Sequence, residues 1–247
     1  MVESGVTGAF LNAIGILIGA LFGLAQRAPL TLATQDFFRR ALGAGTVFFG
    51  GRLVWLAVNG TVWPCLKQIF IAMLAVSLGH ALGHLLRFQS MSNHLGKLAG
   101  SLIASAQSRS FASRPAFDGL SACTILFCVA PLGLIGAVTD GLVDDFYLLA
   151  VKAVMDGLAM TGFIKVFGWP SAFSAFPVYG FLGAITYGCQ IYARPFLDAH
   201  GLTDSINVTA GLVAGAVALV ILGVRKVELA NFLPALVLAP VFTWLLA

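Results

Sequence analysis

Apolar residues in this chain run in blocks about 20 long, separated by short polar or basic breaks. A helix rising 1.5 Å per residue needs about 20 apolar residues to cross the ~30 Å hydrocarbon core of a bilayer. The blocks predict about eight spanning helices, at roughly 5–25, 38–58, 65–86, 119–138, 147–166, 173–193, 205–224 and 229–246. Segment 87–118 departs from the pattern and is the only substantial polar connection. Within it Leu95, Leu98, Leu102, Ile103 and Ala106 recur at helical spacing, opposite Asn93, Lys97, Ser101 and Ser105. That arrangement predicts an amphipathic helix in the membrane interface; the alternative is a solvated linker between two bundles.

Composition agrees with the blocks. Hydrophobic residues make up 59% of the chain and charged residues 10%, with mean hydropathy +0.96, whereas a soluble domain carries about 25% charge. The expected fold class is all-α: a polytopic integral membrane helical bundle, with residues 1–247 forming one transmembrane domain. No stretch remains for a soluble catalytic domain of about 100–150 residues. The opening Met1-Val-Glu3-Ser-Gly-Val lacks the basic start and small-residue cleavage site of a signal peptide, so the first span is expected to be retained. Cys65, Cys123, Cys128 and Cys189 lack CxxC spacing and are expected to be buried free thiols.

The net charge of +4 would suit nucleic acid, but its distribution fits topology better, and no nucleic-acid partner is expected. Alternate loops hold Arg27, Arg39, Arg40, Arg87, Lys97, Arg109, Arg114, Lys165, Arg225 and Lys226. The opposite side holds Lys67 and Arg194 with Glu3, Asp140, Asp144, Asp145, Asp198 and Asp204. Basic loops stay cytoplasmic, which predicts both termini outside, 87–118 inside, and an even number of spans.

Small residues mark helix contacts. Gly15, Gly19 and Gly23 share one face of the first span, and Gly211 and Gly215 one face of the seventh. Spacing of four lets backbones approach closely, within the bundle or across a homodimer. Pro131, Pro170, Pro177, Pro234 and Pro240 signal interrupted helices, tolerated at membrane depth where the freed backbone is buried in protein or lines a cavity. A weak internal echo relates Asn12 to Gly15, Gly19, Gly23 and Arg27 with Asn207 to Gly211, Gly215 and Arg225. If real, the first two and last two spans are equivalent hairpins, as in repeat-built transporters.

Candidate chemistry starts with Lys152 and Asp156, four apart in an otherwise apolar span and so on one helix face. A carboxylate at membrane depth costs about 2.5–3.5 kcal/mol on insertion scales. Thr139-Asp140-Gly141-Leu142 and Met155-Asp156-Gly157-Leu158 repeat one phrase. Asp156 is the expected centre of a solute or ion path, with Lys152 its charge partner and Asp140 at the outer mouth. Gly141 and Gly157 would allow close backbone approach, Pro131 would open the adjacent helix, and Asn12 and Asn207 would add amides. The competing reading is a structural ion pair. Asp144 and Asp145 read as solvated surface carboxylates. His80 and His84 lack the Glu that the zincin pattern puts after its first His, since Ala81 stands there. Neither a metal nor another cofactor is expected.

The run Phe127-Cys128-Val129-Ala130-Pro131 through Asp140-Gly141-Leu142, then Lys152-Ala-Val-Met-Asp156-Gly157 and Phe173-Ser-Ala-Phe-Pro177-Val178, resembles domain-of-unknown-function family 554. The likeness extends to Asn12…Gly15…Gly19 and to Asn231-Phe-Leu-Pro234-Ala-Leu. Ala130 stands where the family is expected to have Gly, and His84 where it often has Glu, so no acidic role is expected at that third-span position. The resemblance implies a multi-pass bacterial inner-membrane protein and supplies no substrate.

Three functions are compatible with these residues. A transporter or channel for a small solute or ion, with a preference for a cation or proton coupling, requires a hydrated cavity reaching Asp156. A non-transport scaffold or sensory partner requires that residue sealed and paired. An intramembrane aspartyl enzyme requires Asp140 and Asp156 within a few ångströms of each other.

Overall fold

A computed structural model describes residues 6–26, 30–58, 61–108 and 116–246. Glu3, Arg27, Arg109 and Arg114, four of the charges used to orient the chain, lie outside those residues, as does the side chain of Ala106. Every regular element among the described residues is helical. The first four are α1 (Thr7–Ala25), α2 (Leu32–Ala57), α3 (Val62–Leu85) and α4 (Phe88–Ser108). Then come α5 (Ala116–Val129), α6 (Pro131–Val143), α7 (Tyr147–Phe167), α8 (Ala175–Gly188), α9 (Arg194–Ala199), α10 (Thr203–Ile221) and α11 (Leu233–Leu246). Short 3-10 turns at Trp169–Ser174 and Leu229–Phe232 lead into α8 and α11, and a π turn at Cys189–Ala193 joins α8 to α9.

Six segments are long and apolar enough to cross a bilayer: α1, α3, α7, the continuous run Trp169–Ala199, α10 and Leu229–Leu246. The bent pair α5–α6 makes a seventh if it counts as one crossing. The expected eighth is α2. Its 26 residues suffice in length, but Asp36, Arg39, Arg40 and Arg52 make it less apolar than the others.

Side chains are sorted in the reverse of a soluble helix. On α1 the buried positions are Gly8, Ala9, Asn12, Ile16, Gly19, Ala20 and Gly23, while Ile18 is 60% and Leu21 68% exposed. Large apolar groups face outward because lipid is as apolar as they are, and small groups face inward because helices there gain only by close approach.

Among the described residues, three of the helix pairs cross closely at glycines. Added Cβ atoms on Gly15 and Gly19 would overlap the backbone carbonyls of Ala153 and Gly157, and one on Gly23 would meet Thr161. Rising numbers meet rising numbers, so α1 and α7 run parallel. Gly43 meets Leu222 and Gly50 meets Gly211, so α2 and α10 run antiparallel. Gly79 meets Ala235 and Gly83 meets Asn231, so α3 and α11 do the same. The glycine faces of α1 and Gly211 are thus consumed inside the bundle. A Cβ added to Gly215 would have nothing within 4 Å, so this glycine makes no close helix contact within the described bundle. Packing does not reproduce the internal echo either: α10 contacts α11, but α1 and α2 scarcely touch.

Pro131 does not sit inside a helix; it starts one. Proline has no N–H to continue α5 and suits the first turn of α6, and the axes there bend by 58°. Ser92 of α4 donates from its hydroxyl to the Val129 carbonyl at 3.1 Å, satisfying an acceptor that the break exposes. Pro234 begins α11 in the same manner, whereas Pro240 lies within it. Segment 87–118 contains a helix, α4, which packs mainly on α5 and keeps Met91, Leu95 and Leu98 exposed.

Candidate functional site

Lys152 and Asp156 occupy the sixth and tenth of the 21 residues of α7, so the carboxylate lies near the middle of the span. The ammonium of Lys152 donates to Asp156 Oδ2, and the Asn12 amide donates to the same oxygen at 2.9 Å. Asn12 comes from α1, held at this distance by the glycine crossing just below it. Lys152 is 1% exposed, Asp156 7% and Asn12 fully buried. The lysine stem passes Gly133 of α6, where an added Cβ would lie 2.6 Å from Cε. Its ammonium sits 5.6 Å from the centre of the Phe127 ring on α5, a favourable cation–π distance. Four helices therefore converge on one ion pair, beside the α5–α6 break. Asn12 Oδ1 has no hydrogen-bond partner among the described residues.

Asp140 is not at an open mouth. It is 3% exposed and accepts the Gly8 amide N–H at 3.3 Å, at the start of α1. Gly8 and Asn12 are one helical turn, about 6 Å, apart along α1, so the two carboxylates hold different partners on successive turns. A shared-proton dyad needs its oxygens about 3 Å apart. Asp145 also differs from expectation: it is 6% exposed and accepts the Tyr147 amide N–H at 3.2 Å. The left-handed turn at Asp144, φ 60°, accompanies this inward position. Burial raises the Asp145 carboxyl above its ordinary value, opposed by the Tyr147 N–H and by Arg52. Asp144 remains exposed, with Arg194 at 3.9 Å.

The other nominated residues separate into two groups. Gly157 and Gly141 serve helix contacts, against the carbonyls of Gly15 and Thr186, so the close approach they permit is of neighbouring backbone. Pro131 lies at the break. Asn207 is half-buried on α10, which packs chiefly on α2, α3 and α11, and it does not join Asn12 at the pair. Phe127 and Gly133 were missed, although both lie in the Phe127–Leu142 run already singled out. The described residues hold no group of three metal-ligating side chains, and their cysteines are free. Cavities of about 540, 370, 300 and 480 Å³ are lined by residues other than Lys152 and Asp156.

Comparison with known proteins agrees with a membrane protein. The Bacillus subtilis (strain 168) protein named "Uncharacterized membrane protein YdfK" is 26% identical over 236 residues, covering 95% of this chain and 94% of its own. The Escherichia coli (strain K12) protein named "Uncharacterized protein YqgA" is 25% identical over 245 residues, covering 95% and 94%. No solved structure matches the chain. The family described as "Protein of unknown function (DUF554)" matches residues 7–244, and this helical membrane protein belongs to it.

Proposed function

We propose that the protein is a carrier for a small cation or a proton-coupled solute. The hydrated cavity expected to reach Asp156 is not present among the described residues, so on this reading the structure is an occluded state. One observation carries the reading: Lys152, Asp156 and Asn12 form a buried polar cluster at mid-span, directly beside a helix broken at membrane depth. Intramembrane charges are rare and mark ion or substrate paths, and broken helices are how transporters expose polar backbone to cargo. Asn12 Oδ1 offers an unused acceptor beside the carboxylate. In this scheme α1 and α7 part at their glycine crossing, Asp156 exchanges Lys152 for a proton or cation, and the pair re-forms after release. A permanently open channel does not suit so closed a cluster.

The chain directions support eight crossings. One passage each for α1, α2, α3, α5–α6, α7, Trp169–Ala199, α10 and α11 makes α1 and α7 parallel and both other pairs antiparallel. By the positive-inside rule the end bearing Arg39, Arg87, Lys97, Lys165 and Arg225 is cytoplasmic, in a bacterial inner membrane, with both termini outside. The aspartyl-enzyme reading loses support, because Asp140 and Asp156 are bound to different residues.

A scaffold or sensory partner is favoured by one observation: the ion pair is sealed, the arrangement expected of a structural staple. Proteoliposomes containing a pH-sensitive dye separate the two under an imposed membrane potential. A proton-coupled carrier acidifies the lumen, and Asp156→Asn abolishes that flux in protein that still elutes as folded, although it melts lower because Lys152 loses its partner. A scaffold behaves as empty liposomes do, and Asp156→Asn loses folded protein.

A further inference from the structure

Where α3 turns into α4 the chain makes a corner at Arg87, whose φ of 58° places a residue with a full side chain in the left-handed region. That conformation is unfavourable outside glycine and persists only where the surroundings enforce it. Here they do. The Gln89 amide N–H donates to Asn231 Oδ1 at 3.1 Å, and the Ala230 N–H donates to Gln89 Oε1 at 3.1 Å. Asn231 Nδ2 donates to Glu228 Oε2 at 2.6 Å, and Gln89 Nε2 donates to Asn93 Oδ1 at 3.0 Å. This network fixes the wall of a cavity of about 300 Å³, lined by His84, Arg87, Gln89, Asn93, Glu228 and Asn231.

The carboxamides direct these bonds into the wall. Arg87, from the α3–α4 corner, and Glu228, from the α10–α11 link, are both exposed and line the same space with no ion pair between them. A cation set on a constrained corner and an anion anchored by the Asn231 amide, both beside one cavity, match a ligand that carries both charges.

We propose that this cavity binds a small zwitterion, with its oxyanion group on Arg87 and its amine on Glu228. The planar guanidinium fork suits a carboxylate or a phosphate, and His84 lines the same cavity. The volume matches the lower end of small-ligand pockets, about 300 Å³. A free solute and the headgroup of an aminophospholipid share this chemistry at the basic end of the bundle. A neighbouring cavity of about 480 Å³ shares Gln89 and Asn93 and reaches Val129, Ala130 and Pro131. A bound zwitterion would therefore lie one cavity away from the α5–α6 break, and its site uses no residue of the Lys152–Asp156 pair.

The test uses the purified full chain in nanodiscs of phosphatidylglycerol, titrated with phosphoethanolamine in a calorimeter. Saturable binding is expected, at least tenfold weaker in Glu228→Gln and in Arg87→Gly. The glycine variant removes the guanidinium while placing at φ 58° the residue that best tolerates it, so it melts at or above wild type. Phosphatidylethanolamine added to the discs distinguishes the sources: competition assigns the site to the headgroup, and its absence assigns it to a free solute. Two results overturn the proposal. One is an unsaturable titration together with equal phosphatidylethanolamine retention by wild type and Arg87→Gly; the other is wild-type affinity in both folded variants.

Discussion

Replacing Lys152 by Met strips Asp156 of its cation and leaves the Asn12 amide as its remaining partner among the bonds seen here. Breaking a buried pair by removing one member destabilises by about 3–5 kcal/mol, because the other charge stays in a medium that cannot solvate it. Asp156→Leu strands the lysine and is expected to lose a similar amount. For a chain of this length 1 kcal/mol moves the melting temperature by about 2–4 °C, so each single variant should melt roughly 6–20 °C lower. The double variant removes both charges and keeps apolar bulk, leaving the Asn12 carboxamide unpaired, which costs about 1–3 kcal/mol. Additive effects would give about 6–10 kcal/mol, whereas mutual compensation leaves at most about 3, a coupling of about 3 kcal/mol or more. Thermal melting of the four proteins in one detergent measures it. A double variant as unstable as the sum of the singles would refute the idea that each charge is tolerated because of the other.

Gly19→Val should destabilise by about 2 kcal/mol or more, since its Cβ meets the Gly157 carbonyl. Gly45→Ala, with nothing within 4 Å, should leave stability unchanged or gain up to about 1 kcal/mol; equal melting of the two would discredit the crossing. The raised Asp145 carboxyl makes the folded chain bind more protons than the unfolded chain. Its stabilising effect is therefore full below the ordinary carboxylate value, about 4, and is lost as pH rises through the folded value. Asp145→Asn should flatten that part of a melting-temperature profile, and a profile identical to wild type would count against the buried position.

Lys152 and Asp156 were legible because their pairing is local: a spacing of four within one apolar run fixes a shared face. Asn12 was legible only as a type. Its partner lies 144 residues away, and the equally suggestive Asn207 ends up on another helix face of the bundle. Pro131 announced an interruption, but the 58° bend and the Ser92 hydroxyl that covers Val129 depend on α4, whose docking no periodicity encodes. Asp144 and Asp145 look identical in sequence, yet one is exposed and the other buried after a left-handed turn. Arg87 read as one of the basic loop charges and Glu228 drew no reading, because their common cavity depends on bonds between Gln89 and Asn231.

The parallel partnership of α1 with α7 joins segments whose nearest ends, Ala25 and Tyr147, are far apart in order of synthesis. At ~5–20 residues per second, the earlier one waits on the order of 10 s for its mate. During that delay the apolar flank of α1 is satisfied by lipid, but its asparagine and bare glycines have no docking surface. The later segment arrives already neutralised, since its acid and its amine sit on the same turn of helix. Assembly in the bilayer can therefore proceed one segment at a time, without an isolated charge having to wait for rescue by a distant strand of the polypeptide.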